Sequence, residues 1–396
     1  MASFAFHPLS RFAGTSTTIR RPREFTFFSF DDEHKLHPIS TRSLNYYYPP
    51  FFDTPGINVQ PLDLSEGFAS FVQRDDSVDE HLDALLDTLQ MHEERHEKNL
   101  RSLNNESNLE NVPTKPDIIT WRGMMTKILV APFDHFSEFE MNATYFQGTI
   151  FIEEDNHAKV ARKLADHARK PKSGALSQEL MAFWGYKFET LSVLPRPWAE
   201  CTRDEIEARP VQVVNNNGQY CSIINTTIGS TSLVIAGEVD CVLGNKPDSE
   251  DDPIPWVELK TTAEPGNRPE DRLKFERKLL RFWAQSFLLG VPTIVLGFRT
   301  QNGLLTRIKE LPTQRLPSMV KQSTQSWDGN VCINFTAAFL DFLRKTISGK
   351  EGVWKIKKRM GEKVINVYKI EEAGTGKILT SNFKAHRERL ASKIVG

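Results

Sequence analysis

Alternating apolar and polar residues predict many strands along this chain. The runs concerned are rich in β-branched and aromatic residues and are bounded by turn residues. They cover 25–30, the start of 117–132, 148–154, 220–227, 232–243, 256–260, 293–299, 304–311, 352–358 and 363–371. Apolar residues spaced three and four apart predict helices over 75–107, 176–191, 270–289, 334–347 and 381–392. The chain therefore combines strands with helices, and it contains no internal repeat.

The predicted strand over 232–243 ends with two acidic residues on one face. Residues two apart share a face of a strand, so Glu238 and Asp240 point the same way while the apolar positions between them point the other way. A loop rich in Gly, Pro, Asp and Ser follows, and a second short strand then carries Glu258 and Lys260, again on one face. Paired in a sheet, the two segments gather three carboxylates and one ammonium.

Carboxylates that lie close together repel one another unless a positive charge stands among them. Mg²⁺ and Mn²⁺ suit this role because they prefer carboxylate, carbonyl and water oxygens. A lysine two residues after a metal-binding glutamate can orient a water molecule and stabilise charge at phosphorus. This is the logic of acid-(D/E)-x-K nucleases. The alternative is a solvated hairpin whose Glu and Lys pair across the strands.

Composition limits the range of partners. The 396 residues are 39% hydrophobic and 26% charged, enough for one large domain or two ordinary ones. A net charge of −1 and a pI of about 6.8 give no global basic field, so a nucleic acid needs a local basic groove. The four cysteines show no zinc or disulfide spacing, which favours a reducing compartment, and no apolar run is long enough to cross a bilayer.

The first 24 residues have a distinct composition. They contain four arginines among Ser and Thr, and Glu24 is the first acid. Such a composition can mark a transit peptide, but Pro8 and Pro22 interrupt it and no amphipathic helix is visible. We therefore predict a poorly ordered leader over 1–24 and one domain over 25–396.

Two other segments each allow two interpretations. His92-Glu-Glu-Arg-His96 matches the zinc-protease pattern H-E-x-x-H, but its charged flanks would not exclude water, so we predict a solvated helix. The aromatic segment over 46–52 can pack in the core or stack on bases, and we expect packing.

Three residues outside the two strands are candidates for the same site. Arg122 lies in an apolar context, so it needs either an internal acid or a phosphate as partner. Glu189, near the end of a helix, is either a fourth carboxylate or a surface residue. Gln285 lies in the predicted helix over 270–289, whose basic face follows a nucleic-acid backbone or is simply solvated. That face carries Arg272, Lys274, Arg277, Lys278 and Arg281.

Taken in order, these motifs resemble the DXO/Rai family of decapping and RNA 5′-end quality-control nucleases. The resemblance runs from about residue 25 to the C-terminus and is greatest to the fungal partners of the nuclear 5′→3′ exoribonuclease. The motifs are Tyr46-Tyr-Tyr-Pro-Pro50, Trp-Arg-Gly around Arg122, Gly-Tyr-Lys-Phe-Glu189, Glu238-Val-Asp240, Glu258-Leu-Lys260 and Gln285 within Trp-Ala-Gln-Ser-Phe.

The resemblance implies an α/β fold with a mixed β-sheet core flanked by helices, related to acid-(D/E)-x-K metal nucleases. It implies Mg²⁺ or Mn²⁺ as cofactor, with two ions during catalysis. The implied metal ligands are Glu189, Asp240, Glu258 and the carbonyl of Leu259, with Glu238 holding a second ion or its water. Lys260 and Gln285 would position the attacking water and a phosphate oxygen, and Arg122 would neutralise charge at the site.

The activity implied is hydrolysis at RNA 5′ ends that lack a mature cap. Pyrophosphate would be released from 5′-triphosphate RNA, and unmethylated caps and NAD caps would be removed. The implied partner is the nuclear 5′→3′ exoribonuclease, and the implied location is the nucleus. The basic segment 355–359 is a weak candidate for an import signal, but it is equally a strand edge protected by lysines. The alternatives are a DNA nuclease of the same superfamily and a mainly non-catalytic subunit of the exoribonuclease. We expect Asp240→Ala and Glu258→Ala each to abolish turnover while leaving the fold largely intact, since both remove repulsion between like charges.

Overall fold

The structure, a computed structural model, describes residues 1–51, 60–102, 115–168, 176–249 and 252–395. Most of the segment 104–116, the end of the predicted helix over 75–107 and the end of the aromatic segment fall outside the described residues. The strands are β1 (Ala2–Ala5), β2 (Ile19–Phe30), β3 (Leu36–Pro38), β4 (Tyr46–Tyr47), β5 (Leu62–Asp63), β6 (Ile118–Trp121), β7 (Phe139–Phe146), β8 (Thr149–Glu154), β9 (Val193–Leu194), β10 (Gln219–Ile228), β11 (Thr231–Glu238), β12 (Cys241–Val242), β13 (Trp256–Ala263), β14 (Thr293–Arg299), β15 (Leu304–Pro312), β16 (Val353–Lys358) and β17 (Val364–Glu371). The helices are α1 (Asp83–Ser102), α2 (Arg122–Val130), α3 (Asn156–Ala168), α4 (Gln178–Ser192), α5 (Arg203–Glu207), α6 (Pro269–Leu289), α7 (Leu316–Lys321), α8 (Gly329–Ile347) and α9 (Ser381–Val395).

The described strands form two sheets. The first sheet has the order β1-β17-β16-β7-β8-β6-β11-β10-β2-β3, and the second has the order β5-β15-β14-β13-β12-β4-β9. Both sheets mix parallel and antiparallel pairs: β11 is parallel to β6 and antiparallel to β10, and β13 is parallel to β14 and antiparallel to β12. Helix α4 packs on the second sheet through Trp184 and Phe188, beside Leu259 and Val295. The result is a mixed-sheet core flanked by helices.

The chain crosses from the first sheet to the second between Glu238 and Cys241. The prediction of one strand over 232–243 is therefore wrong, because β11 ends at Glu238 and β12 begins at Cys241 in the other sheet. From β12, only Cys241 and Val242 pair with β13, opposite Val257 and Trp256. The two acids thus lie at a junction between the sheets, and beyond Val257 this edge of β13 has no strand partner among the described residues.

The first 24 residues are part of the fold, so the predicted poorly ordered leader is wrong for this structure. Strand β1 pairs antiparallel with β17, and β2 begins at Ile19 and runs beside β10. Phe6 and Phe12 are buried, and the ring of Phe6 lies 5.4 Å from that of Phe335 on α8. The apolar positions are few and separated by polar residues, which hides this packing in the sequence.

The H-E-x-x-H segment lies on α1, in the turns that follow the buried residues Leu85, Leu86 and Leu89. His96 is exposed, and the ring of His92 lies against Phe25 at 5.3 Å. In the aromatic segment, Tyr46 and Tyr47 form β4 and are half-buried, as expected for packing. No helix in the described ranges is both long and apolar enough to span a membrane.

Candidate active site

Glu258 is the centre of the candidate site. It lies on β13 with no exposed surface, and its two carboxylate oxygens face two cations. Oε1 is 2.6 Å from the ammonium of Lys260, and Oε2 accepts a hydrogen bond of 3.1 Å from Arg122. Lys260 is on the same face of β13, two residues on, and Arg122 is the first residue of α2, directly after β6. The predicted Glu-x-Lys pair and Arg122 are therefore in direct contact.

Asp240 binds the free edge of β13. Its Oδ2 accepts a hydrogen bond of 2.6 Å from the backbone N–H of Leu259, in the place that a longer β12 would have filled. The N–H and C=O of one residue point to the same side of an extended strand. The carbonyl of Leu259 consequently points towards Asp240, which is the direction required of the metal ligand predicted from the resemblance.

Glu189 and Glu238 reach the site from two other elements. Glu238 is the last residue of β11, and Glu189 lies near the end of α4, whose Phe188 packs on the second sheet. Burial, followed by the charges of Asp240 and Glu238, raises the pKa of Glu189 well above its usual value. Glu189 is therefore within electrostatic range of the other carboxylates, and the fourth-carboxylate interpretation describes its position.

The titration behaviour of the acids follows from these contacts. Burial and then the charge of Glu258 raise the pKa of Asp240 to about 7, and burial also raises the pKa of Glu238. Burial alone would raise the pKa of Glu258 too, but the charges of Lys260 and Arg122 hold that pKa below its usual value. Burial opposes the charge on Lys260, yet the surrounding carboxylates raise its pKa. Glu258 is thus the most acidic group of the set.

The charge of the site fits a divalent cation. Four carboxylates lie near Lys260 and Arg122 in a largely buried volume, and repulsion among them adds to burial in raising the pKa values of Glu189, Glu238 and Asp240. Carboxylate and carbonyl oxygens are also the ligands that Mg²⁺ and Mn²⁺ prefer. As the side chains stand, no three acidic, histidine or cysteine residues in the described ranges converge to hold an ion, and both oxygens of Glu258 face cations. The residues fit the ion in charge and chemistry, and binding it requires these side chains to turn.

A cavity of about 320 Å³ opens beside Arg122 and Glu238. Gln285 of α6 lines it, so the cavity brings the predicted glutamine to the same place as the predicted arginine. Arg74 also lines this cavity, and its charge acts on Glu238. Sequence reasoning did not identify Arg74, because it stands in a run of charged residues with no motif around it. Trp121 and Lys159 complete the wall on the side of β6 and α3.

Gly237 allows the elements around the site to approach closely. A Cβ at this position would lie 2.8 Å from the Cβ of Arg122 and 3.0 Å from Leu289 of α6. Both distances are shorter than ordinary carbon contacts. The absence of a side chain therefore lets α2 and α6 pack on β11 and places Arg122 over Glu258.

A buried Glu-x-Lys strand, a preceding acid that binds the strand edge and a helix that supplies a further glutamate define the class: this is the fold and site of an acid-(D/E)-x-K nuclease. Within that class, the chain belongs to the RAI1-like PD-(D/E)XK nuclease family, whose sequence profile matches residues 20–384. The resemblance to the DXO/Rai family and the predicted mixed-sheet α/β fold are both confirmed.

Individual relatives match over nearly the whole chain. The decapping nuclease RAI1 of Emericella nidulans is 50% identical over 386 residues, 97% of this chain and 98% of that protein. The structure of Candida albicans Rai1 in complex with pU5 and Mn²⁺ has a TM-score of 0.85 at 27% identity, covering 98% of this chain and all of the other. Scheffersomyces stipitis Rai1, in complex with (3′-NADP)⁺ and a calcium ion, has a TM-score of 0.81 at 27% identity, with the same coverage.

Proposed function

We propose that this protein is a metal-dependent hydrolase that acts on the 5′ ends of incompletely capped RNA. The observation that carries the proposal is the buried carboxylate of Glu258 between Lys260 and Arg122, with three more carboxylates around it. Such a site combines an excess of negative charge for a divalent ion with two fixed cations for phosphate oxygens. The reactions proposed are pyrophosphate release from 5′-triphosphate RNA and removal of unmethylated caps and NAD caps.

The similar proteins support RNA and dinucleotide substrates. The Emericella relative is named a decapping nuclease, and the two Rai1 structures hold a uridine oligonucleotide and a nicotinamide dinucleotide. In this chain, the cavity beside Arg122 and Glu238 is large enough for part of a nucleotide and offers both cationic and aromatic side chains. Each of the proposed reactions is a displacement by water at phosphorus, so one metal site would serve such different 5′ ends.

Each residue near Glu258 has a role that its position supports. Lys260 and Arg122 would donate hydrogen bonds to oxygens of the bound phosphate, and their charges would stabilise the developing negative charge at phosphorus. Gln285, at the cavity wall, would orient the attacking water or a phosphate oxygen with its amide. Exclusion of bulk water by the buried strand β13 would strengthen these interactions.

A divalent ion would be held by Glu189, Asp240, Glu258 and the carbonyl of Leu259, with Glu238 binding a second ion or its water. When bound, Mg²⁺ or Mn²⁺ would polarise a phosphoryl oxygen and lower the pKa of a water molecule. The manganese and calcium ions in the two Rai1 structures support a divalent ion of this kind. Turnover measured with each ion, as described below, distinguishes Mg²⁺ from Mn²⁺.

We further propose that the protein works in the nucleus and stimulates a 5′→3′ exoribonuclease, as the resemblance implies. Two alternatives differ in their test. A DNA nuclease would cleave DNA in preference to RNA 5′ ends. If the protein is mainly a non-catalytic subunit, the Asp240→Ala variant should stimulate the exoribonuclease as well as the wild type does. If it is a catalyst, the Asp240→Ala variant should lose the hydrolysis of RNA 5′ ends that the wild type performs.

Turnover of RNA with different 5′ ends tests the proposal. RNA carrying triphosphate, unmethylated-cap, NAD or monophosphate ends, and DNA of the same sequence, would be incubated with Mg²⁺, Mn²⁺ or EDTA. We expect metal-dependent release of pyrophosphate, cap dinucleotide or NAD. Activity should be lost in Asp240→Asn and retained in Asp341→Asn, a matched change at an exposed pair with Lys345. Absence of turnover on every RNA end would overturn the enzymatic proposal.

A further inference from the structure

Lys278 of α6 and Arg299 of β14 are two neighbouring cations that form no ion pair with a carboxylate in the part of the chain that the structure describes. The ammonium of Lys278 donates a long hydrogen bond of 3.4 Å to the hydroxyl of Thr262. The guanidinium of Arg299 lies 4.2 Å over the ring of Trp184, and its Nε is buried without a hydrogen-bond partner. Donor capacity is therefore left over at both residues.

Electrostatics supports the same conclusion. Burial, followed by the charge of Arg299, lowers the pKa of Lys278, and burial lowers the pKa of Arg299. Two other cations of this region are paired with acids: Arg281 of the same helix is 2.6 Å from Asp134, and Arg307 pairs with Glu264. Two neighbouring cations without an acidic partner repel each other and favour a bound anion.

Two independent elements lead from the candidate active site to this pair. On α6, Lys278 lies seven residues before Gln285, which puts both on one face about 10 Å apart. On β13, Thr262 lies two residues after Lys260 on the same face, about 7 Å further along the strand. Arg299 pairs with Ala263, so its side chain leaves the sheet on the face of Trp184, opposite to that of Thr262. It does so at the carboxyl ends of two parallel strands, where ligands of α/β sheets commonly bind and can meet side chains from both faces.

We propose that Lys278 and Arg299 bind a backbone phosphate of the RNA strand, beyond the 5′ end that reacts at Glu258 and Lys260. This inference rests on the proposed function, because it takes the reacting 5′ end as the start of the strand. A planar guanidinium and a mobile ammonium can hold one phosphate together, and such a contact reads no sequence. The pair thus selects a polynucleotide strand over a free nucleotide, which suits an enzyme for arbitrary RNA ends.

The salt dependence of RNA binding tests the subsite. A 5′-phosphorylated decauridylate with a 3′ fluorophore would be titrated in Ca²⁺ buffer while the anisotropy is measured, from about 50 to 200 mM salt. The salt exponent is the magnitude of the slope of the logarithm of the binding constant against the logarithm of the salt concentration. Each lost phosphate contact should lower it by about 0.7. We expect this decrease in Lys278→Gln and in Arg299→Gln. Lys278→Arg should keep the wild-type exponent, and so should Arg281→Gln, the matched control on the same helix.

Kinetics separates the subsite from the reacting centre. Lys278→Gln should raise KM for the long RNA about threefold more than KM for a triphosphorylated dinucleotide, which is too short to reach the pair. Lys278 is exposed, so its variants test the proposal even if Arg299→Gln weakens packing on Trp184.

The outcomes distinguish this inference from the proposed function. If the wild type hydrolyses RNA 5′ ends but both glutamine variants keep the wild-type salt exponent, the proposed function stands and the proposed subsite is wrong. If the wild type hydrolyses no RNA end but the variants bind RNA with a smaller salt exponent, the subsite is supported and the enzymatic proposal is wrong. Loss of binding to polyglutamate in Lys278→Gln, with RNA binding unchanged, would overturn the subsite in favour of an acidic protein partner.

Discussion

Glu258 and Asp240 are surrounded by different charges, although the sequence presents them as equivalent acids. Glu258 is the counterion of both Lys260 and Arg122, whereas Asp240 accepts a hydrogen bond from the backbone N–H of Leu259 and lies near the charges of Glu258, Lys260 and Glu238. Loss of Asp240 removes repulsion. Loss of Glu258 leaves two largely buried cations unpaired, with Arg122 13% and Lys260 24% exposed. On these contacts, we expect the Asp240→Ala variant to keep the fold and the Glu258→Ala variant to be destabilised.

The two carboxylates should differ in their effect on stability. In EDTA, we expect Glu258→Gln to lower the free energy of unfolding by about 3 kcal/mol, the lower end of the range for breaking a buried pair. Asp240→Asn should leave the free energy of unfolding unchanged or raised, because the amide oxygen can still accept from Leu259. Urea unfolding measures both. Equal losses in the two variants would contradict this assignment of counterions.

Individual residues were predictable where a motif surrounds them. Arg122, Glu258 and Lys260 stand in short patterns whose chemistry is recognisable, and the structure brings them into contact. Arg74 has no such pattern and reaches the cavity because its backbone N–H binds Asn216, far away in the sequence. A long-range contact of this kind leaves no signal in the local order of residues.

At the scale of elements, Gly237 controls how two helices meet β11. In Gly237→Ala, the new methyl group would collide with Arg122 and Leu289 and displace the guanidinium from Glu258. We expect a loss of about 1–3 kcal/mol in stability and a large loss of turnover, although no charged residue is changed. Thermal unfolding and the RNA turnover assay measure the two effects.

Gly185→Ala is the matched control for that variant. Gly185 lies inside α4 and has no atom within 4 Å of the position of a Cβ. Alanine at this helical position should raise the free energy of unfolding by up to about 1 kcal/mol and leave turnover unchanged. Wild-type activity in Gly237→Ala would show that the close approach does not position Arg122.

The helix with the H-E-x-x-H pattern should play no part in metal chemistry. His96 is exposed and His92 lies against Phe25, so replacing both by alanine should change neither bound zinc nor turnover. Elemental analysis of the purified protein measures the zinc. Stoichiometric zinc in the wild type that disappears in the double variant would contradict the interpretation of a solvated helix.

Helices and strands were predictable where one hydrophobic periodicity persists along the segment. They were less predictable where the chain passes from one sheet to the other. Alternation continues from β11 into β12, so the pattern gives no sign that the chain changes sheets at Val239 and Asp240. Strand β1 was missed for a different reason. Its four residues gain stability from pairing with β17, nearly the whole chain length away, and not from a periodic pattern of their own.

At the scale of the whole molecule, the site lies where two sheets and three helices meet. Glu238 ends a strand of the first sheet, Glu258 lies in the second sheet, and α2, α4 and α6 supply Arg122, Glu189 and Gln285. Charge repulsion at this junction acts on the contact between the two sheets. An ion that binds there should therefore stabilise the fold as a whole and not only one loop.

This location makes the stabilisation by metal depend on pH. The pKa of Asp240 in the fold is about 7, well above the usual value for an aspartate, so the folded protein retains a proton that the unfolded chain has already lost. The stability of the metal-free protein should accordingly fall as pH rises from about 4 to 7.

A divalent ion must displace this proton at low pH, so its affinity should rise about tenfold per pH unit below pH 7 and level off above it. The increase in Tm on adding Mg²⁺ should be small at about pH 5.5 and large at about pH 8. In Asp240→Asn the dependence should become shallower, with Glu189 supplying what remains. An equal Tm increase at both pH values would show that the ion does not bind among these carboxylates.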